Sequence, residues 1–216
     1  MKGYPIFLDL THRPCVVIGG GAVAERKVAG LVEAGATVTV ISPQLTERLR
    51  QWVREGVVQY VARAYQFGDL SGFLLAFAAT GNLAIDTAVF TDGRAIGVLV
   101  NSADDPVRCD FFLPAVIRRG DLAIAVSTGG TSPALARAVR EELQEIVGEE
   151  YATLLEIAAA TRVEVLRSDA AVTGDRWTMA LKEPEFRRLV HEGQKTEATT
   201  RLRALLGMEE KNDVER

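Results

Sequence analysis

The 216-residue chain has only two cysteines, Cys15 and Cys109, which excludes a disulfide framework and any CxxC metal motif. Its two histidines, His12 and His191, lie far apart in sequence, so a histidine-rich zinc site is not expected. There is no long apolar run. The longest uncharged stretch, 70–85, contains Ser, Gly, Thr and Asn and falls short of a membrane span. The first ten residues include Asp9 and do not form the extended apolar region of a secretory leader. No excess of one charge sign is present either. The 25 basic and 29 acidic residues leave a net charge of -4, which offers no general phosphate-tracking surface and argues against nucleic acid as a partner. Cysteine usage and the missing span together point to a cytoplasmic protein, with no membrane partner expected.

What is present is an ordinary globular composition, 48% hydrophobic and 25% charged, in a chain long enough for one to two domains. The first half alternates two kinds of segment. Cys15–Ile18 is a short apolar run ending in three glycines, as a buried parallel strand would be. A helical stretch, Val23–Ala34, follows and closes at Gly35. Thr37–Ile41 is rich in β-branched residues and reads as the second strand, stopped by Ser42-Pro43. Leu45–Glu55 reads as a helix, Val57–Val61 and Leu74–Ala79 as strands, Ala84–Gly93 as a helix and Ile96–Val100 as the fifth strand. Leu122–Ser127 reads as a sixth, which either joins the sheet or opens a second element. This alternation predicts an α/β fold, a Rossmann-like doubly wound parallel sheet over residues 1–113.

Beyond Ser127 the pattern turns helical. Ser132-Pro133 is a good helix start, and Leu135, Val139, Leu143, Ile146 and Val147 recur at helical spacing. Residues 149–208 read as a small helical domain and 209–216 as a charged tail.

The strongest motif is Gly19-Gly20-Gly21-Ala22-Val23-Ala24, a G-x-G-x-x-A between a strand and a helix. Gly19 permits the tight turn, Gly21 lets the backbone approach a pyrophosphate, and Ala24 allows close helix–strand packing. Free N–H groups at that helix start, together with the helix dipole, bind the phosphates. The acid that usually ends the second strand and binds the ribose is absent, and Ser42-Pro43-Gln44 stands there instead. Ser42 or Gln44 can hydrogen-bond a ribose. Arg48, six residues on, is no clear signal for a 2′-phosphate, so the fingerprint alone leaves NAD and NADP open.

Three stretches carry more than a dinucleotide fingerprint: Tyr4–Leu10 followed by Cys15–Lys27, Val100–Pro114 with its Asn101-Ser-Ala-Asp104, and Ala125–Arg137 with its Ser127-Thr-Gly-Gly-Thr-Ser-Pro133. They resemble the sirohaem synthase dehydrogenase/ferrochelatase family, the precorrin-2 dehydrogenases, closely over residues 1–150 and loosely beyond. The resemblance implies oxidation of precorrin-2 to sirohydrochlorin with NAD as hydride acceptor, and in many members insertion of Fe2+, a substrate, to give sirohaem. It implies a homodimer built through a dimerisation segment at 114–148, a helical domain after it, and an active site in the cleft between the parts. By motif, Gly19, Gly21, Ala22 and Val23 fall at the pyrophosphate loop, Pro43 and Gln44 near the adenosine ribose, and Thr80 beside the cofactor. Asp104 takes the family's acid/base position, with Asp105 as its neighbour. It is also the candidate for transient contact with Fe2+, since no dedicated metal motif exists.

The residues themselves agree with such roles. Asp104 follows the carboxyl end of the fifth strand, where open α/β sheets place their ligands, although Asp-Asp-Pro also suits a solvated turn. Hydroxyls and backbone N–H groups of Ser127, Thr128 and Gly129 ahead of a helix form an anion pocket, useful for a tetrapyrrole with eight carboxylates. Many family members have Ser where Thr128 stands. Arg118 and Arg119 are further candidates for substrate carboxylates, although paired surface arginines are common, and Arg26 and Lys27 face the cofactor or a dimer partner. Cys15 and Cys109 read as small core residues, and His12 and His191 as structural or surface groups. Two other readings stay open: a dehydrogenase without chelatase activity, and a non-catalytic NAD-sensing module.

Overall fold

The computed structural model describes residues 3–103, 105–168 and 170–208. The chain divides into two compact units, Met1–Leu113 with Gly129–Thr131, and Pro114–Thr128 with Ser132–Arg216.

In the first unit five parallel strands, β1 (Pro14–Ile18), β2 (Thr37–Ile41), β3 (Val58–Val61), β4 (Leu75–Ala78) and β5 (Leu99–Ser102), lie in the order β3-β2-β1-β4-β5. Helices α1 (Ala22–Glu33), α2 (Glu47–Arg54) and α3 (Leu83–Ile96) connect them. Successive strand residues point to opposite faces, and two cores result. Cys15, Val17, Val38, Val40, Leu75 and Phe77 pack with Ala24, Val28 and Leu31 of α1 and Leu49 of α2. Val16, Ile18, Ile41, Ala76, Ala78 and Val100 pack with Val89 of α3 and with Leu70. Burial on both faces explains why these strands are uninterrupted apolar runs rather than alternating ones.

The fifth strand begins later than the periodicity predicts. Helix α3 runs on to Ile96 and ends at Gly97, whose φ of 78° is left-handed. Gly93, expected as the last residue of the helix, sits inside it. A Cβ there would lie 2.3 Å from Cγ2 of Val100, so that glycine serves helix–strand contact.

In the second unit β6 (Ala115–Arg119) and β7 (Leu122–Val126) form an antiparallel hairpin, followed by α4 (Pro133–Ile146), α5 (Glu150–Arg167), α6 (Gly174–Lys182), α7 (Pro184–His191) and α8 (Lys195–Leu206). The expected sixth strand is therefore half of a separate hairpin. Its partner β6 went unread because a segment ending in two arginines before Gly120-Asp121 looks like a loop. Arg119 is 8% exposed and not a surface group. Its Nε donates to the Val147 carbonyl at 3.0 Å and its Nη1 pairs with Glu149 at 3.1 Å, tying the hairpin to the α4–α5 junction. Ile157, Val165, Phe186, Leu189, Ala198, Leu202 and Leu206 form the core of the last four helices. The expected apolar stripe of α4 is only partly covered: Ala136 and Val147 are buried, while Leu135 and Ile146 are 55% and 70% exposed.

Candidate dinucleotide-binding site

Strands β1, β2 and β4 end side by side, and the chain order reverses between β1 and β4. Such a switch point leaves a crevice at the carboxyl edge of the sheet. The glycine turn after β1 lies there, and the structure separates the jobs of its three glycines. At Gly19, φ is +118° and a Cβ would stand 2.2 Å from the Ala79 carbonyl oxygen after β4. At Gly20 a Cβ would stand 2.0 Å from the Gln44 carbonyl oxygen after β2. Both are closed in by neighbouring strand ends. At Gly21 a Cβ would meet nothing within 4 Å. Its side faces open space, as close approach by a ligand requires. Gly20 is not among the expected site residues, and its place in the middle of the three-glycine run is its only signal.

Helix α1 starts at that turn. Gly21 is its N-cap, no side chain caps it, and Ala22 is exposed. The first bond of the helix runs from Glu25 N–H to the Gly21 carbonyl at 2.9 Å. The N–H groups of Ala22, Val23 and Ala24 therefore precede the helix's own bonding and carry the positive end of its dipole. Ala24 is fully buried against the sheet, the close packing its small side chain allows.

Two expected hydroxyls, those of Ser42 and Thr80, are already committed. Ser42 is buried; its Oγ donates to the Gln44 carbonyl at 2.8 Å, and Tyr60 donates to the Ser42 carbonyl at 2.9 Å. Ser42 thus shapes the loop and leaves Pro43 and Gln44 exposed beside the glycine turn. Thr46 N–H donates to the Gly20 carbonyl at 2.9 Å, and the Thr46 hydroxyl donates to Glu25 at 2.6 Å, fastening that loop to α1. The Thr80 hydroxyl donates to the buried Asp86 at 2.7 Å and accepts from Asn82 N–H at 3.0 Å, so it orders the turn after β4. Arg48 stacks on Trp52, 4.8 Å from the ring centroid, along its own helix.

Asp104 lies outside the described residues. Asp105 accepts from Val107 N–H at 2.9 Å and pairs with Arg108, so its carboxylate caps the 3-10 turn Pro106–Arg108. Lys27, expected to face the cofactor or a dimer partner, turns to the end of β5. It is half-buried, with Nζ 3.3 Å from Oδ1 of Asn101, while Arg26 is exposed. Cys15 and Cys109 are both buried, His12 and His191 are exposed, and no group of three or more His, Cys, Asp or Glu able to hold a metal forms among the described residues.

In the second unit Ser127 is exposed after β7, and the Thr128 hydroxyl donates to the Ser132 carbonyl at 2.9 Å while accepting from Ser132 N–H at 3.1 Å. Gly129 has a positive φ of 62°. Arg118 stands apart from these residues. It pairs with Ala123, three pairs from the Ala115–Val126 end that leads to Ser127, or about 10 Å along the strand.

The strand order, the glycine turn and the uncapped α1 terminus define a Rossmann-type dinucleotide-binding domain. A family model described as "Putative NAD(P)-binding" matches residues 6–115, and the chain belongs to that family. The model "Sirohaem biosynthesis protein central" matches residues 119–146. The chain is 39% identical over 165 residues to a siroheme synthase of Methylobacillus flagellatus, covering 76% of this chain and 35% of the relative. It is 37% identical over 208 residues to the siroheme synthase of Nitrosococcus oceani, covering 95% and 44%. The chain thus spans less than half the length of these relatives. Among solved structures, "SirC, precorrin-2 dehydrogenase" aligns with a TM-score of 0.74 at 26% identity, over 92% of this chain and 99% of that one. The resemblance read from the motifs holds. No helix among the described residues is long and apolar enough to cross a membrane.

Proposed function

We propose that the chain oxidises precorrin-2 to sirohydrochlorin with NAD as acceptor, and then inserts Fe2+ into the product to give sirohaem. The observation that carries the reading is an open dinucleotide cradle in a chain that aligns along nearly its full length with a precorrin-2 dehydrogenase. Bound NAD would accept a hydride. The N–H groups of Ala22 and Val23, with Gly21 leaving room for them, would hold its pyrophosphate, and Pro43 and Gln44 would flank the adenosine ribose. Gly19 shapes the turn, and Ser42 and Thr80 support the loops on either side.

The oxidation also releases a proton, and insertion of Fe2+ releases two more from the pyrrole nitrogens. Asp104 is the proposed acceptor. Its sequence position after β5 and the commitment of Asp105 to a cap and to Arg108 support this choice. Ser127 and Gly129, with Thr128 holding the loop, are proposed to meet substrate carboxylates, and Arg118 a carboxylate further off. A homodimer is proposed through 114–148, because Leu135, Ile146 and Val116 leave apolar surface uncovered there. Residues 149–208 form the helical domain in this reading, and the protein works in the cytoplasm on tetrapyrroles.

The test is a precorrin-2 assay with NAD. NADH formation above an enzyme-free control is expected, and its absence would refute the reading. Adding Fe2+ to sirohydrochlorin should give the sirohaem spectrum faster than background. No acceleration leaves a dehydrogenase alone. Sedimentation should give the mass of two chains.

A further inference from the structure

Three pieces distant in sequence meet at the carboxyl end of β5. Lys27, one turn into α1, places Nζ 3.3 Å from Oδ1 of Asn101 and 5.7 Å from the centroid of the Phe77 ring. Asn101, 5% exposed, uses its other amide atom: Nδ2 donates to the Phe111 carbonyl at 2.9 Å. Around this amide the chain folds back on β5. Asn101 bridges antiparallel to Cys109, Asp110 N–H donates to the Val100 carbonyl at 2.8 Å, and the Asp110 carboxylate accepts from Val100 N–H at 3.0 Å. Phe111 stands edge-on to Phe77 with centroids 5.4 Å apart. The buried Cys109 thiol lies 3.2 Å from the Ser102 carbonyl and 3.3 Å from that of Asp105, across the base of the turn.

An amide has two chemically different ends, and Lys is a donor only. With Lys27 on one side and the Phe111 carbonyl on the other, only one orientation of Asn101 satisfies both. Without the ammonium the Phe111 carbonyl still favours that orientation, but Oδ1 loses the Lys27 donor in a buried place and the amide is held from one side only. A flipped amide would set its oxygen against the Phe111 carbonyl, a repulsive contact in a buried place. We infer that Lys27 is a positioning residue. Through Asn101 it locks the return segment Cys109–Phe111 to α1, the helix whose N-terminus forms the dinucleotide cradle. That segment begins five residues after the proposed acid in sequence, and holding a catalytic group in place is worth rate rather than affinity.

The link to catalysis rests on the proposed dehydrogenase reading, so the experiment has one arm that needs no turnover. Burial pushes the Cys109 thiol up from its ordinary value, while the Lys27 charge pulls the other way. Removing that charge alone would slow alkylation of Cys109, so faster alkylation reports opening of the turn. Iodoacetamide labelling of the full chain, mapped by mass spectrometry, uses buried Cys15 in β1 as the internal reference.

In Lys27→Met, Cys109 labelling should rise about tenfold relative to Cys15. In Lys27→Arg, which keeps a donor, it should stay near wild type. Asn101→Asp keeps an acceptor for Lys27 but cannot donate to Phe111, and should open the turn as well. It carries the test should Lys27→Met not fold. Labelling of Cys109 within about twofold of wild type in both Lys27→Met and Asn101→Asp overturns the inference.

In the activity arm, Lys27→Met should lower kcat about tenfold with the NADH Kd and the KM for NAD nearly unchanged. A rise in Kd with kcat intact would make Lys27 a binding residue and overturn the positioning role. If the wild-type chain forms no NADH from precorrin-2, the functional reading fails and the labelling arm still decides the inference.

Discussion

Replacing Gly21 by alanine separates folding from binding at the glycine turn. Gly21 has φ −85° and ψ −173°, extended backbone open to any residue, and an added Cβ meets no protein atom within 4 Å. Alanine is a poorer N-cap than glycine, by a few tenths to about 1 kcal/mol. It also restricts the unfolded chain, which favours folding by about 0.4–1 kcal/mol. The two effects offset, so the melting temperature should move by less than about 3 °C. Binding should respond differently. The new methyl occupies the side from which a pyrophosphate reaches the N–H groups of Ala22 and Val23. Loss of one hydrogen bond to a charged group costs about 1.5–3 kcal/mol, or roughly 10- to 100-fold in Kd.

Gly20→Ala is the counterpart, because its Cβ would lie 2.0 Å from the Gln44 carbonyl oxygen. That overlap should destabilise the fold by about 1–3 kcal/mol or more before binding is considered. Thermal melts and NADH fluorescence titrations of both variants decide the matter. A Gly21→Ala protein that binds NADH like wild type, or that loses as much stability as Gly20→Ala, would refute this division of labour.

Three other outcomes are expected. Hydrogen bonds from Arg63 hold the Asp69 carboxyl below the usual carboxylate range. A depressed folded pKa stabilises above the unfolded value and ceases to do so as pH falls through the folded one. The melting deficit of Asp69→Asn should therefore be full at neutral pH and shrink below about pH 4, and a deficit constant down to pH 2 would contradict the pairing. Thr161 is fully buried and its hydroxyl has no hydrogen-bond partner, so Thr161→Val should stabilise the helical core by about 1 kcal/mol, checked by chemical denaturation. Leu135→Asp with Ile146→Asp should leave the chain folded, since both side chains are exposed, yet convert the proposed dimer to single chains in sedimentation.

Much of the first unit was legible because its strands are buried on both faces and write themselves as apolar runs closed by glycine or proline. Misreadings came where one residue type serves two ends. Gly93 looked like the last residue of a helix and is a contact glycine inside α3, whereas Gly97 is the stop. Arg118 and Arg119 looked like a surface pair, yet strand alternation points one outward and buries the other against the Val147 carbonyl. The cradle's glycines were visible as a motif. The exclusive tightness of Gly19 and Gly20, and the openness of Gly21, depend on where β2 and β4 end, and those ends lie 22 or more residues downstream of the turn.

The sequence by itself determined the class of this protein. Hydrophobic period, turn residues and G-x-G-x-x-A are local properties, and local properties survive without the fold. The tertiary structure decided which polar groups are spent and which are spare. The hydroxyls of Ser42, Thr80 and Thr128 and the carboxylate of Asp105 were all plausible ligands in the linear chain. In the folded chain each has found backbone or side-chain partners nearby, because burying a polar group without a hydrogen bond is costly. In the proposed reading phosphate binding falls instead to the N–H groups at the start of α1, which the helix geometry leaves unbonded.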